Sequence, residues 1–249
     1  SLALLEPGDE VILFEPFYES YPISAKLAGA DIKVVTLREP DFKWNSQELR
    51  AAFSPKTKLV YFNNPNNPTG RVFTKEELNE LLALAREFDA YILSDEVYEH
   101  LIYDDATHQS VIRFPKLYQQ SIAVFSFGKT FHSTGWKMGY AVGPKYLMDE
   151  FKNVHQWNVF CVNSFTQYAL AEHLQTPTNY TTLPSFFEQK RDFLTDNLKD
   201  IRLIPKLSQG TFFQLYNYAV LSDMEDGEFA KYLTREIGVA AIPLSPFYS

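Results

Sequence analysis

The sequence predicts an α/β fold in which a mostly parallel sheet is flanked by helices. Short apolar runs recur along the first part of the chain, helical patterns lie between most of them, and Pro, Gly and Asn separate the two kinds of segment. Parallel strands need crossover connections, and helices of this kind provide them on both faces of a sheet. We expect strands at Glu10–Phe14, Ile32–Leu37, Leu59–Phe62, Tyr91–Leu93, Ile122–Phe127 and Tyr140–Val142.

The clearest helix is predicted over Thr74–Asp89. Thr74 and Glu77 have the spacing of a capping box, and leucines then recur at helical intervals. Beyond Val142 the pattern changes to longer helices and two further strands, which indicates the start of a smaller α+β domain. These helices are expected at Lys145–His155, Ser164–Leu174, Tyr180–Leu198 and near Gly227–Ile237, with the strands at Thr211–Tyr216 and Val239–Ile242.

A boundary between two domains is therefore predicted near residue 180. Residues 1–180 would form a large domain, and residues 181–249 an interdomain helix with part of a small carboxyl-terminal domain. Ser1–Leu5 resembles the last turn of a helix, and the final apolar strand is not followed by residues that would close a domain. We interpret the chain as an internal portion of a longer protein.

The composition favours a globular protein that acts on small molecules. The chain has 23 Lys and Arg against 31 Asp and Glu, and its net charge of −8 disfavours a nucleic-acid partner or an anionic membrane surface. Cys161 is the only cysteine, which excludes an intrachain disulfide and a thiol metal cluster. A reducing, cytoplasmic location is therefore expected. No apolar run has the length of a membrane span.

Polar residues that follow the strands are the candidates for function, because ligands of such sheets bind at the carboxyl ends of the strands. Four places stand out: Glu15–Tyr18, Asn63–Gly70, Ser94–Glu99, and Ser126–Lys129 together with Gly135–Gly139. Each alone has a structural explanation, respectively a packed turn aromatic, a proline-shaped connection, a helix cap and a solvated lysine. Their combination is more specific than any one of them.

One cofactor, pyridoxal 5'-phosphate (PLP), would use these groups together. It needs a lysine amine for a Schiff base, an anion beside the pyridine nitrogen, and hydroxyl or cationic groups for the phosphate. Lys129 would supply the amine, Asp95 the anion, and Ser126 with Lys137 the phosphate contacts. An acid at a buried strand end is costly unless a cation meets it, so Asp95 requires such a partner.

The chain resembles the class I/II aminotransferases of PLP fold type I over nearly its whole length. The residues that carry the resemblance are the ordered strings PGDEV (Pro7–Val11), NNPTG (Asn66–Gly70), SDEVYEHLIYD (Ser94–Asp104) and SFGKTFHSTGWKMGY (Ser126–Tyr140). The lysine region is most similar to bacterial methionine aminotransferases and to the glutamine transaminase K/kynurenine aminotransferase group. The resemblance implies a seven-stranded-type sheet and a homodimer, with the aromatic stretch His155–Phe160 as a candidate for its interface.

The resemblance also implies a role for each site residue. Lys129 would form the Schiff base and move the proton, Asp95 would pair with the pyridine nitrogen, and Tyr98 would bond the phenolic oxygen of the cofactor. The remaining residues would be Asn67, at the phenolic oxygen and the substrate carboxylate, Tyr18, stacked on the ring, and Ser126 and Lys137, at the phosphate. Many family members carry arginine where this chain has Lys137, and the lysine keeps the charge but lacks the planar fork. No metal is expected.

The predicted function is transfer of an amino group from a methionine, aromatic or glutamine-like amino acid to a 2-oxo acid. Two other parts that the resemblance implies, a Gly-containing phosphate cup before PGDEV and a late arginine for the substrate carboxylate, are not found in the sequence. Two alternatives stay open. One is a PLP-dependent carbon–sulfur β-lyase, because the same carbanion can expel a thiolate, and the other is the aminotransferase-like sensor domain of a transcription regulator.

Overall fold

A computed structural model describes residues 1–206 and 208–249. Its main strands are β1 Glu10–Glu15, β2 Asp31–Thr36, β3 Thr57–Asn63, β4 Tyr91–Asp95, β5 Ser121–Ser126 and β6 Gly139–Val142. They form one six-stranded sheet in the order β2-β1-β3-β4-β5-β6. Every neighbouring pair is parallel except β5 and β6, which are antiparallel. The mostly parallel sheet and the six strand positions predicted from the sequence are confirmed.

Helices cover both faces of this sheet, as predicted. Alternate residues of β1 enter two separate apolar clusters, Phe14 with Leu81 on one face and Leu13 with Ala25 on the other. Strands buried on both faces are apolar along their whole length, which explains the continuous apolar runs of the sequence. The helices of this part are α1 Ser20–Leu27, α2 Ser46–Ala52, α3 Lys75–Glu87, α4 Pro115–Tyr118 and α5 Phe127–Thr130, with 3-10 turns at Val111–Arg113 and Thr134–Trp136.

Helix α3 begins with the predicted capping box. The Thr74 hydroxyl accepts a hydrogen bond from the Glu77 amide, and the Glu77 carboxylate accepts one from the Thr74 amide. Glu77 also pairs with the buried guanidinium of Arg71, which in turn donates to the Phe42 carbonyl. The first turn of α3 therefore holds in place the end of the loop that precedes it.

The last third of the chain is mainly helical. The helix predicted over Tyr180–Leu198 is divided at Thr182, and Pro184 lies in the first turn of its second part, a position that proline favours because it lacks an amide hydrogen. The helices are α6 Lys145–Asn158, α7 Ser164–His173, α8 Thr178–Thr181, α9 Leu183–Leu198 and α10 Asp226–Tyr232, which continues as a π-helical turn over Leu233–Ile237, with 3-10 turns at Lys199–Ile201 and Ser245–Phe247.

The strand predicted over Thr211–Tyr216 is wrong for most of its length. Only β8, Tyr216–Asn217, forms a ladder, and its partner is the two-residue strand β7, Ile204–Pro205. Thr211 has a φ of 67°, outside the range of extended strands, and its amide donates to the carbonyl of Leu101 at 2.9 Å. This segment is therefore tied to a loop of the large sheet instead of to a neighbouring strand.

The strand predicted over Val239–Ile242 is also wrong. Val239 is 55% exposed and Ile242 75% exposed, and the structure assigns no strand to this segment.

Ser1–Leu5 forms a single turn, in which the amides of Leu4 and Leu5 donate to the carbonyl of Ser1. Among the described residues, no helix has both the length and the apolar character that crossing a membrane requires.

Segment 208–211 joins the carboxyl-terminal part of the chain to two loops of the large sheet. The Gln209 amide donates to the Gly70 carbonyl at 2.9 Å, and the Tyr103 amide donates to the Gln209 carbonyl at 2.8 Å. Gly70 has a φ of 72°, and a Cβ added there would lie 2.4 Å from the Ser208 hydroxyl oxygen. Glycine at this position therefore permits both the backbone conformation and the close approach of the segment.

Gly70→Ala is expected to destabilise the protein by about 2–4 kcal/mol, because the left-handed conformation and the overpacking each add a cost. Gly227→Ala is the matched control. A Cβ at Gly227 meets nothing within 4 Å, and alanine in a helix is favoured over glycine by up to ~1 kcal/mol. Urea denaturation of both variants measures the difference. Equal stability of the two variants would contradict the packing described for segment 208–211.

Candidate active site

The carboxylate of Asp95 lies at the carboxyl end of β4. Its Oδ2 accepts a hydrogen bond from the Tyr21 hydroxyl at 2.6 Å, and its Oδ1 accepts one from the Val97 amide at 3.2 Å. Burial raises the pKa of Asp95, while the Tyr21 and Val97 hydrogen bonds and the positive charge of Lys129 act in the opposite direction. The net shift is upward, so the surrounding groups do not fully compensate a negative charge here. A cation placed beside Asp95 would therefore favour its charged form.

Lys129 lies in the short helix α5, directly after β5. Its Nζ is 5.6 Å from the centroid of the Tyr98 ring and 5.3 Å from that of the Phe212 ring. Aromatic faces attract a cation, and the charge of Lys129 reaches far enough to lower the pKa of Asp95. The Lys129 amine and the partly buried Asp95 carboxylate therefore lie at the same edge of the sheet.

Tyr98 is almost completely buried, at 1% exposure. Its ring contacts those of Phe212 and Phe213 edge to face, with centroids 5.3 and 6.0 Å away. Burial, followed by the charges of Asp95 and Tyr18, raises the pKa of the Tyr98 hydroxyl. The hydroxyl therefore stays protonated at neutral pH and can donate a hydrogen bond to a ligand oxygen.

Asn67 is connected to Asp95 through Asn63, a residue whose role the sequence analysis missed. The Asn67 amide donates to Oδ1 of Asn63 at 2.6 Å, and Nδ2 of Asn63 donates to the Asp95 carbonyl at 2.9 Å. Asn63 is the last residue of β3, and its position at the strand end was the one available signal. The polar loop is thus held against the strand that carries the acid.

Ser126 and Lys137 are brought together by the antiparallel pairing of β5 and β6. Ser126 is paired with Gly139, and the Phe127 amide donates to the Met138 carbonyl at 3.1 Å. Lys137 has a φ of 55° and is exposed. The backbones of Ser126 and Lys137 therefore both lie at the sheet edge that also carries Lys129.

Tyr18 follows β1 and is 46% exposed. It packs edge to face against Tyr21 with ring centroids 5.7 Å apart, and Tyr21 in turn contacts Asp95. Tyr18 was predicted from the sequence as a site residue, whereas Tyr21 was not. Burial and the charge of Asp95 raise the pKa of the Tyr21 hydroxyl well above its ordinary value, so this hydroxyl remains a donor. Nothing in the apolar pattern distinguishes Tyr21 from a core aromatic residue.

This set of groups fits PLP. The incompletely compensated carboxylate of Asp95 would suit a protonated pyridine nitrogen. The Tyr98 hydroxyl would suit the phenolic oxygen, and the Lys129 amine the aldehyde. The hydroxyl and ammonium of Ser126 and Lys137 match the phosphate. In the part of the chain that the structure describes, no group of three or more His, Cys, Asp or Glu side chains is placed to hold a metal ion.

Comparison with known proteins gives concordant results. Residues 1–249 match the family model described as aminotransferase class I and II. Methionine aminotransferase of Escherichia coli (strain K12) is 43% identical over 246 residues, which are 98% of this chain and 64% of that protein. Kynurenine–oxoglutarate transaminase 3 of Homo sapiens is 35% identical over 272 residues, 98% of this chain and 60% of that protein.

Solved structures show the same similarity. A protein of Escherichia coli with an identified methionine aminotransferase function superposes with a TM-score of 0.97 at 42% identity, over 100% of this chain and 66% of that one. N-Succinyldiaminopimelate aminotransferase from Mycobacterium tuberculosis superposes with a TM-score of 0.96 at 35% identity, over 100% of this chain and 65% of that one. The chain thus spans somewhat less than two thirds of the length of the relatives it matches.

The raised pKa of Asp95 predicts how ligand-free stability depends on pH. Between the ordinary pKa of aspartate, 3.8, and the raised value, the folded chain binds more protons than the unfolded chain, so stability falls as the pH rises through this window. Asp95→Asn cannot ionise, and we expect this variant to be more stable than the wild type above the window. The free energy of unfolding in urea, measured at several pH values without ligand, tests this.

Asp104→Asn is the control, because the opposite change in stability is expected for it. The hydrogen bonds from Arg191 hold the pKa of Asp104 below its ordinary value. This carboxylate therefore stabilises the fold above pH 3.8, and its contribution is lost as the pH falls through the lowered value. The Asp104→Asn variant should thus be less stable than the wild type at neutral pH. If Asp95→Asn were destabilised at neutral pH by a similar amount, this would contradict the incomplete compensation of the Asp95 charge.

Proposed function

The chain belongs to the class I and II aminotransferases, and we propose on this basis that the protein is a PLP-dependent aminotransferase. It would transfer an amino group from a methionine, aromatic or glutamine-like amino acid to a 2-oxo acid. The family and its fold are PLP-dependent. The observation that carries the proposal is the position of Lys129, whose amine lies over the rings of Tyr98 and Phe212 and whose charge acts on the partly buried Asp95.

Bound PLP supplies an electron sink that lowers the energy of a negative charge at the substrate Cα. Asp95 holds the proton on the pyridine nitrogen, and the positive nitrogen offsets the cost of burying Asp95. Tyr98 and Asn67 donate hydrogen bonds to the phenolic oxygen, and Asn67 also contacts the substrate carboxylate. Lys129 would hold the aldehyde group of the cofactor through Nζ, and once a substrate amine had displaced it, the freed amine would take the proton from the substrate Cα and return it during the reaction.

Three other residues bind and orient the cofactor. The hydroxyl of Ser126 and the ammonium of Lys137 bind the phosphate, and the exposed position of Lys137 leaves its charge available to an incoming anion. Tyr18 stacks on the ring from the loop after β1. Because the site residues follow several different strands, binding of the cofactor requires the whole sheet edge to be formed.

The relatives support the proposed substrates. One relative is named a methionine aminotransferase, and others are named kynurenine–oxoglutarate transaminases. In this chain the aromatic rings of Phe212, Phe213 and Phe187 are near Tyr98 and the amine of Lys129. An apolar surface beside the reacting amine favours substrates with a thioether or aromatic side chain.

The division into domains and the location are part of the same proposal. Residues 1–180 form the large PLP-binding domain, and residues 181–249 an interdomain helix, α9, with part of the small domain. A cytoplasmic location is supported by the composition, since Cys161 is the only cysteine of the chain and is exposed.

A homodimer is supported by an exposed apolar surface on α6 and α7, here called the α6–α7 patch. Four aromatic residues of this patch project into solvent, which is more than isolated exposed residues explain. They are Trp157, Phe160, Phe165 and Tyr168, with exposures of 86, 74, 86 and 79%. The patch includes the end of the stretch His155–Phe160 that the sequence analysis named.

Lys129→Ala tests the function. In the full-length protein this substitution should abolish both the lysine-dependent absorbance of bound PLP and amino transfer from methionine to a 2-oxo acid. Lys145→Ala is the control, because that lysine is 88% exposed and pairs with Asp149 one turn later, so both properties should be unchanged. Retained turnover in Lys129→Ala would contradict the assignment. Pyruvate and ammonia formed without amino transfer would contradict the aminotransferase reaction.

The double variant Trp157→Ser and Phe165→Ser tests the homodimer. Removing two large exposed aromatic groups should weaken self-association at least tenfold, since each buried aromatic side chain contributes roughly 1.5–3 kcal/mol. Sedimentation equilibrium of the full-length protein measures this. Phe193→Ser on α9 is the control, because Phe193 is 70% exposed outside the patch. Equal association of the double variant and the wild type would exclude the α6–α7 patch as the interface.

A further inference from the structure

Glu96 directly follows Asp95 and is fully buried, at 0% exposure. Its Oε1 accepts hydrogen bonds from the Ser94 hydroxyl at 2.8 Å and the Val111 amide at 3.0 Å, and its Oε2 is hydrogen-bonded to Nε2 of His108 at 2.8 Å. A buried carboxylate with three partners is a satisfied group, whose removal leaves all three unpaired. The reaction proposed above gives Glu96 no role.

Glu96 and Asp95 point to opposite sides of the strand end. Successive side chains of a strand alternate between its faces. Asp95 accordingly contacts Tyr21 of α1, whereas Glu96 contacts the backbone of Val111, whose side chain belongs to the apolar cluster under α3. A group on that side cannot contact a ligand of Asp95. Apart from its negative charge, which acts to raise the pKa of Asp95, Glu96 can influence the site through the backbone that the two residues share.

That backbone carries both Asp95 and Tyr98. The Glu96 amide donates to the Val124 carbonyl of the neighbouring strand at 2.9 Å, and the Glu99 amide donates to the Glu96 carbonyl at 3.0 Å. Glu96 is thus the residue at which strand β4 passes into the turn that presents Tyr98. A shift of Glu96 would move the acid and the phenol relative to one another.

His108 connects Glu96, at the end of β4, to the segment that leads into the Val111–Arg113 turn. Its side chain is only 15% exposed, and its Nδ1 is buried without a hydrogen-bond partner in the described structure. The bond to Glu96 is therefore the hydrogen bond that orients the imidazole ring. Arg113 donates to the carbonyl of His108 at 3.1 Å and holds the backbone of the same segment.

We propose that Glu96 and His108 form a positioning pair of the cofactor site, which fixes the end of β4 so that Asp95 and Tyr98 face the cofactor together. The inference rests on the proposed function, because it assigns the pair to the same PLP site. Neither residue touches the cofactor or the substrate. Their effect is on the geometry of the two residues that do.

The test compares Glu96→Ala with Glu96→Gln in the full-length protein. The alanine variant should weaken PLP binding about tenfold or more, as loss of residues that orient ligand-contacting groups typically does. The glutamine variant should stay within about threefold of the wild type, because its amide can still accept from Ser94 and Val111 and can donate to the other tautomer of His108. The measurements are the PLP dissociation constant and the circular dichroism of the bound cofactor in the visible range.

A second pair of variants covers the case in which Glu96→Ala does not fold. His108→Ala removes one hydrogen bond near the surface and should weaken PLP binding by about three- to tenfold. His108→Gln, which can still donate to Glu96, should restore binding. Ser121→Ala is the structural control, since Ser121 is 1% exposed and its hydroxyl donates to the Leu117 carbonyl at 2.6 Å at the opposite end of β5. This variant should lose stability and keep PLP affinity.

The possible outcomes separate the two proposals. If the alanine variants of Glu96 and His108 lose stability as Ser121→Ala does but bind PLP with the affinity and the dichroism of the wild type, the pair is purely structural and the inference is overturned. If the wild type shows no lysine-dependent PLP absorbance, the proposed function itself fails and the inference fails with it. Weaker binding and altered dichroism in the alanine variants, with recovery in the glutamine variants, support the positioning pair.

Discussion

The candidate site depends on the energetic cost of the Asp95 carboxylate. Tyr21 and Val97 donate to it and Lys129 lowers its pKa, yet the net shift of that pKa is upward. The charge is therefore only partly compensated. A carboxylate held in place and left short of positive charge is a binding site for a cation.

The parallel sheet gives this carboxylate its neighbours. Parallel strands place their carboxyl ends at one edge, so the residues that follow β1, β3, β4 and β5 meet there although they are far apart in sequence. The antiparallel pairing of β6 with β5 then brings Lys137 to the same edge. No single segment contains enough groups to bind a cofactor. The topology assembles them, and the close backbone contacts at Gly70 and Gly139 show how tightly the segments must approach.

Residues at strand ends could be predicted from the sequence, whereas residues defined by tertiary contacts could not. Asp95 and Lys129 directly follow apolar runs, and chemistry at such positions is unusual enough to be noticed. Tyr21 takes part through a hydrogen bond to the Asp95 carboxylate, and no local pattern distinguishes it from a core aromatic residue. Asn63 lies at a strand end, but its hydrogen bond to the Asp95 carbonyl is a tertiary contact that the sequence does not reveal. The strand predicted over Thr211–Tyr216 failed for the same reason. Its aromatic residues pack around Tyr98 and Lys129 instead of forming a ladder.

That failed strand also shows that the site is built from both parts of the chain. Phe212 is 42% exposed and lies over the amine of Lys129, while its neighbour Thr211 is bonded to Leu101 in the loop after Tyr98. The Lys129 amine is therefore bordered on one side by the large sheet and on the other by the carboxyl-terminal segment. Because backbone hydrogen bonds fix this segment, Phe212 forms a defined apolar wall beside Lys129. A substrate that reaches the amine must fit that wall, so the same packing that disrupts the strand supports the choice of substrate.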